Sequence, residues 1–119
     1  MALPNLLTAT IITGRTAYAN VTTATSNVLV NPASSGNSFR IVNIMAASID
    51  TSNTGNITAS VLRSGVSNYL GFGLSIPSRS TLILLGKENP VTLEEGDALQ
   101  MSADANSRIW ATITYEDIR

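Results

Sequence analysis

The sequence predicts an all-β domain of about eight short strands with little or no helix, and three observations carry that prediction. Ser and Thr make up 28 of the 119 residues and Asn another 11, while the strong helix formers Glu, Lys and Gln are scarce. Segments of four to eight residues alternate apolar with polar side chains, the period of a strand with one buried face. Clusters of Gly, Pro, Asn and Ser separate them at short intervals, as turns do in compact β domains. The length is that of one domain, so residues 1–119 are read as a single unit with one core.

The elements follow in order. Thr8 to Thr13 is a strand closed by Gly14, and Thr16 to Thr23 is a second. Asn27 to Val30 stops at Asn31-Pro32, and ASSGN forms a turn after it. Phe39 to Ile49 is the longest strand. Its apolar phase slips near Ile41 and Val42, so either both faces are buried or a bulge shifts the phase. Ile57, Ala59 and Val61 alternate with Thr58 and Ser60. Leu70, Phe72, Leu74 and Ile76 form the clearest apolar stripe, and Gly71 and Gly73 between them mark either a shallow track for a close neighbour or a bend. Thr81 to Leu85 is a continuous apolar strand ended by Gly86. Val91 and Leu93 precede a corner at Glu95-Gly96-Asp97, where Gly96 supplies the permissive dihedral and the Asp97 carboxylate can bond its own backbone two residues on. Leu99, Met101 and Ala103 resume an inward face. The last strand, Arg108 to Tyr115, sends Ile109, Ala111, Ile113 and Tyr115 inward and Trp110, Thr112 and Thr114 outward.

Composition removes most chemistries. Cys and His are both absent, which excludes disulfides, thiolate nucleophiles, imidazole acid–base catalysis and ordinary zinc sites. Seven basic and eight acidic residues are spread thinly, giving a net charge of −1 and no basic cluster to displace phosphate counterions, so nucleic acid is not an expected partner. The opening MALPNLLTAT lacks the charged region and apolar run of an export signal, and no window reaches the roughly 20 apolar residues of a membrane helix. A soluble protein is expected. Asn20 and Asn56 match a glycosylation sequon but read as ordinary strand and turn residues.

The carboxylates Glu94, Glu95, Asp97, Asp104, Glu116 and Asp117 could in principle serve a glycosidase, yet each is placed in a turn or at the terminus, where solvation keeps it ordinary. Glu94, Glu95 and Asp97 offer hard oxygen ligands for calcium, but the regular spacing of a calcium loop is missing. No catalytic, cofactor or metal residue is therefore assigned, and the chain is not expected to be an enzyme. The candidate residues are interfacial instead. Trp110, with Thr112 and Thr114, is either an outward anchor for a protein partner or a ring covered by the fold. Leu3, Leu6 and Leu7 lie in an apolar N-terminal stretch, residues 1–7, that either pairs as an edge strand or reaches out as an arm.

The segment IPSRSTLILLGKENPVTLEEGDALQMSADANSRIWATITYEDI resembles the ending of small virion structural proteins of tailed bacteriophages, especially marine and cyanobacterial ones. The shared pattern is an Ile-Pro turn, an apolar strand, Leu-Glu-Glu-Gly-Asp, a short Ala/Asn hairpin and a final strand ending Tyr-Glu-Asp-Ile. A weaker likeness at FRIVNIMAASID extends it to about two-thirds of the chain. Trp110 departs from the small β-branched residue of that pattern. The resemblance implies an antiparallel β-sandwich of jelly-roll type and a structural role, foremost a capsid decoration or cement protein. Such a protein sits on the outer capsid surface of the virion. Its partners would be the major capsid protein and copies of itself, as a trimer or other homo-oligomer, with no small-molecule substrate. The rival readings are a neck or tail component, and a carbohydrate- or receptor-binding module that stacks a ligand on Trp110 with Tyr69 or Tyr18.

Overall fold

The computed structural model of the chain describes residues 11–86, 88, 90–106 and 108–119. Nine strands fill it: β1 Ile12–Val21, β2 Ser26–Val30, β3 Ser38–Ser48, β4 Gly55–Arg63, β5 Val66–Ile76, β6 Thr81–Leu85, β7 Val91–Leu93, β8 Ala98–Ala103 and β9 Ile109–Ile118. They form two antiparallel sheets. The front sheet has the order β1-β9-β3-β6, with β7 also on β3, and the back sheet has the order β2-β8-β4-β5. β6 pairs with Ile44–Ala47 and β7 with Phe39–Ile41, so the two lie end to end beside β3 and share one strand position. Eight positions result. The chain changes sheets at every connection except the β4–β5 hairpin and the β6-to-β7 step, which is the double Greek-key winding of a jelly roll.

Alternation builds the core. Ile41 and Ile44 of β3 and Ile109 and Ile113 of β9 face Ile57 of β4 and Leu99 and Met101 of β8, and all seven are fully buried. Aliphatic side chains fill the gap of about 10 Å between two packed sheets, each contributing roughly 1.5–3 kcal/mol on burial. The phase slip in β3 is a bulge. Ile41 stands opposite Tyr115 and Asn43 opposite Thr114, which leaves Val42 as the extra residue. Phe39 and Ile41 before it, and Ile44 and Ala46 after it, thus all point inward.

Two strand expectations need correction. β1 does not stop at Gly14, which pairs with Glu116 inside an unbroken ladder. β9 extends to Ile118 and supplies ladder partners along the whole of β1, so tertiary pairing overrides the local preference of a glycine. Thr8 to Thr10, the start of the expected first strand, lie outside the described residues. The stripe from Leu70 to Ile76 is not one face either. β5 carries two register shifts against β4, one between the Ile57–Leu74 and Ala59–Gly71 pairs and the next before Ser60–Tyr69. Gly73 takes a positive φ of 60° there, which an L side chain adopts only with strain. Of the stripe, Ile76 alone is buried, and Phe72 is turned out to solvent.

Loops are tied by side chains at one end of the sandwich. The Asp50 carboxylate accepts the Ser52 and Asn53 N–H groups at 2.9 and 3.1 Å, and its other oxygen lies 3.2 Å from Arg108 Nε. The Ser52 and Asn53 N–H groups, and then the Arg108 charge, hold this carboxyl below the usual range. A depressed folded-state value means the carboxylate stabilises the fold above its unfolded value near pH 4 and ceases to as pH falls through the lower folded one. Wild type and Asp50→Ala should therefore differ in Tm at neutral pH and converge below about pH 4, as followed by thermal melts across pH. In urea titrations Ile113→Ala should lose about 2–5 kcal/mol, and the solvent-facing Ile83→Ala less than about 1 kcal/mol.

Candidate functional site

The outward phase of the front sheet gathers what its strands leave unburied. Tyr18 stands opposite Thr112, Thr112 opposite Met45, and Met45 opposite Ile83, forming one row across all four strands. The next row runs Asn20, Trp110, Ala47, Thr81. Thr16, Thr114 and Asn43 make a third, shorter row. Tyr18 is 74 % exposed, Ile83 62 % and Trp110 45 %. Trp110 is thus outward and uncovered, with Thr112 and Thr114 beside it on one face. None of these three rows carries an acid, Lys or Arg. Ion pairs bound them at both ends, Arg40–Glu116 at 3.5 Å and Arg108–Asp50 at 3.2 Å. An uncharged centre with exposed aromatic side chains and a charged rim suits a protein-binding face.

Tyr18, Met45 and Ile83 belong to this face, and of the three the sequence singles out only Tyr18, as a stacking ring beside Trp110. The alternation of Thr16, Tyr18 and Asn20 carried a signal for the first. Met45 takes its phase from the bulge at Val42. Ile83 sits in an unbroken apolar run, Thr81 to Leu85, where periodicity cannot tell one face from the other.

Tyr69 lies on the opposite side of the molecule. It is on β5, across from Ser60, and the row Asn27, Gln100, Ser60, Tyr69 crosses the back sheet. A single stacking platform of Trp110 with Tyr69 is therefore ruled out by topology, whereas Trp110 and Tyr18 share a face. Tyr69 instead meets Phe72 edge to face, with ring centroids 5.2 Å apart at 85°.

The acidic stretch from Glu94 to Asp97 is a corner, as its composition implies, but its chemistry is not that of solvated acids. Gly96 has φ 87°, and the Asp97 N–H closes the turn on the Glu94 carbonyl at 3.0 Å. The Asp97 side chain is buried and accepts the Glu94 N–H at 2.9 Å, so it bonds three residues back rather than two residues on. Arg63 reaches over from β4 and donates through Nε at 2.9 Å and through its terminal nitrogen to the same oxygen, while also pairing with Glu94 at 2.8 Å. The bond to Asp97 raises the Arg63 pKa further above its already high value. A guanidinium thus occupies the space a cation would need beside Glu94 and Asp97. Asp117 also departs from expectation: it lies within β9, is buried, and pairs with Arg15 at 3.3 Å.

Below the corner sits Asn31, fully buried between β2 and β3. Its N–H donates to the Asp97 carbonyl at 2.9 Å, and its carbonyl accepts the Gly96 N–H at 2.8 Å. Its side-chain amide donates to the carbonyls of Asn37 and Leu93, both at 2.9 Å, and its Oδ1 accepts the Ser35 hydroxyl at 2.6 Å. Every side-chain hydrogen of that amide is used.

Leu3, Leu6 and Leu7, with the arm of residues 1–7, lie outside the described residues. Among the described residues, no group of three or more acidic, His or Cys side chains converges as a metal site. Compared with known proteins, the chain matches no family model and no curated protein.

Asp97→Ala should cost about 2–3 kcal/mol in urea titrations, because it leaves the Glu94 N–H and a half-exposed Arg63 without their shared acceptor. Millimolar calcium should leave the Tm of the wild type unchanged; a rise would mark the corner as a cation site.

Proposed function

We propose that this protein is a non-enzymatic structural component of a tailed-bacteriophage virion, a decoration protein that seats the outer face of its front sheet on the capsid. The observation that carries the reading is the uncharged band across four strands, with Tyr18, Ile83 and Trp110 exposed in it. Support also comes from the likeness of residues 76–118 to virion proteins and from the jelly-roll winding, an architecture common among capsid domains. Tyr18, Ile83 and Trp110 are costly to leave in water, so their burial against a partner favours association. A protein that binds only the assembled shell stabilises it by mass action, in proportion to the logarithm of free ligand over Kd. Because the band lacks charge, attachment should depend little on salt.

The test uses mature capsids stripped of the protein. Thr112→Lys puts a charge at the centre of the band on a position already at the surface, and should reduce capsid attachment at least about tenfold while the Tm stays near wild type. Attachment unchanged by Thr112→Lys and by Ile83→Lys would reject the front sheet as the contact. Copy number by quantitative gel separates the locations, since hundreds per particle fit decoration and a dozen or fewer fit a neck or tail part.

A further inference from the structure

The back sheet carries a second, chemically different surface. A groove of about 230 Å³ opens on its outer face, with Tyr69 and Phe72 as one wall and Thr58, Ser60, Gln100 and Ser102 among its floor. Tyr69 is 60 % exposed and Phe72 72 %, so both rings stand in water. The two β5 register shifts explain this: they take the strand out of simple alternation and swing Phe72 over the row that holds Tyr69.

From the groove we infer that it binds a neutral saccharide, one ring of which stacks on the Tyr69–Phe72 wall. Three properties select that ligand class. No Lys, Arg, Asp or Glu lines the groove, which leaves no counter-charge for a phosphate, a carboxylate or a nucleic-acid backbone. The floor is pre-set to exchange hydrogen bonds with hydroxyls. Thr58 Oγ1 accepts the Gly73 N–H at 3.0 Å, which leaves its own proton to donate. Gln100 Nε2 donates to Asn27 Oδ1 at 2.9 Å, which holds the Gln100 carbonyl as a fixed acceptor. A pyranose matches both walls at once, since its axial C–H face is apolar and its rim is a ring of hydroxyls. The volume is below the roughly 300–1,000 Å³ of pockets for drug-sized molecules, so one ring is seated and the rest of a glycan runs out along the sheet. This site is on the sheet opposite the uncharged band, so it stands or falls independently of capsid docking.

Saturation-transfer NMR on the full chain tests it, with cellobiose, maltose, lactose and diacetylchitobiose as neutral probes and sialyllactose and inorganic phosphate as charged ones. At least one neutral disaccharide should receive saturation, strongest at the C–H protons of a single ring, and Phe72→Ala should weaken its binding about tenfold with the Tm retained. Tyr69→Ala is the second variant, expected to act in the same direction. Absence of transfer to every neutral probe overturns the inference, as does transfer that both variants leave unchanged. Preference for the charged probes overturns it too. So does a concentration-dependent shift of the Tyr69 and Phe72 ring signals without sugar, which would make the groove a contact between copies of the chain.

Discussion

One buried amide holds the corner on which this sandwich closes. Asn31 lies where the chain leaves the back sheet for the front, and it reaches the β7–β8 corner through main-chain bonds to Gly96 and Asp97. Its side chain spans from Leu93 to Asn37, so two segments far apart in sequence, 31–37 and 93–97, meet on one residue. A polar group so deep costs free energy unless it is hydrogen-bonded, and once satisfied it fixes the geometry more narrowly than apolar packing would. Arg63 and Asp97 extend the same lock to β4. The aliphatic core supplies the driving force for the two sheets to pack, while this corner ties the end of β2 and the end of β4 to the β7–β8 turn.

That division of labour leaves the two outer faces free to differ. The buried hydrophobic core is aliphatic but for Phe39 and Met101, and the chain's single Trp is outside. The front sheet exposes an uncharged, partly aromatic band. The back sheet exposes hydroxyls and amides with an aromatic wall at one edge. Since alternate side chains of each strand face opposite ways, the outer face of either sheet can vary without altering the core.

Much of this was legible in the residues. Ile57, Ala59 and Val61 announce a half-buried strand by strict alternation, and Ile109, Ala111 and Ile113 do the same while placing Trp110 outside. The slip at Val42 signalled a bulge as one of two options, and the pairing of Ile41 and Asn43 decided it. What could not be read depends on partners far along the chain. Gly14 looks like a stop until β9 is laid beside it. Asp97 and Asp117 look like surface acids because nothing local indicates that Arg63 and Arg15 will reach them. Phe72 looks inward because a two-residue period is blind to inserted residues, and β5 holds two shifts. Alternation places Trp110, Thr112 and Thr114 on one outward face, but the width of that face comes only from strand order.

The irregular course of β5 has a bearing on how this molecule behaves in crowds. β5 is the outer strand of its sheet, and a flat, regular strand in that place would offer a ready template for a neighbour's backbone. Its two kinks break the even spacing of donors and acceptors that such zippering requires. Along this edge, copies packed at high density can lie flank to flank as separate particles instead of fusing into a continuous ribbon.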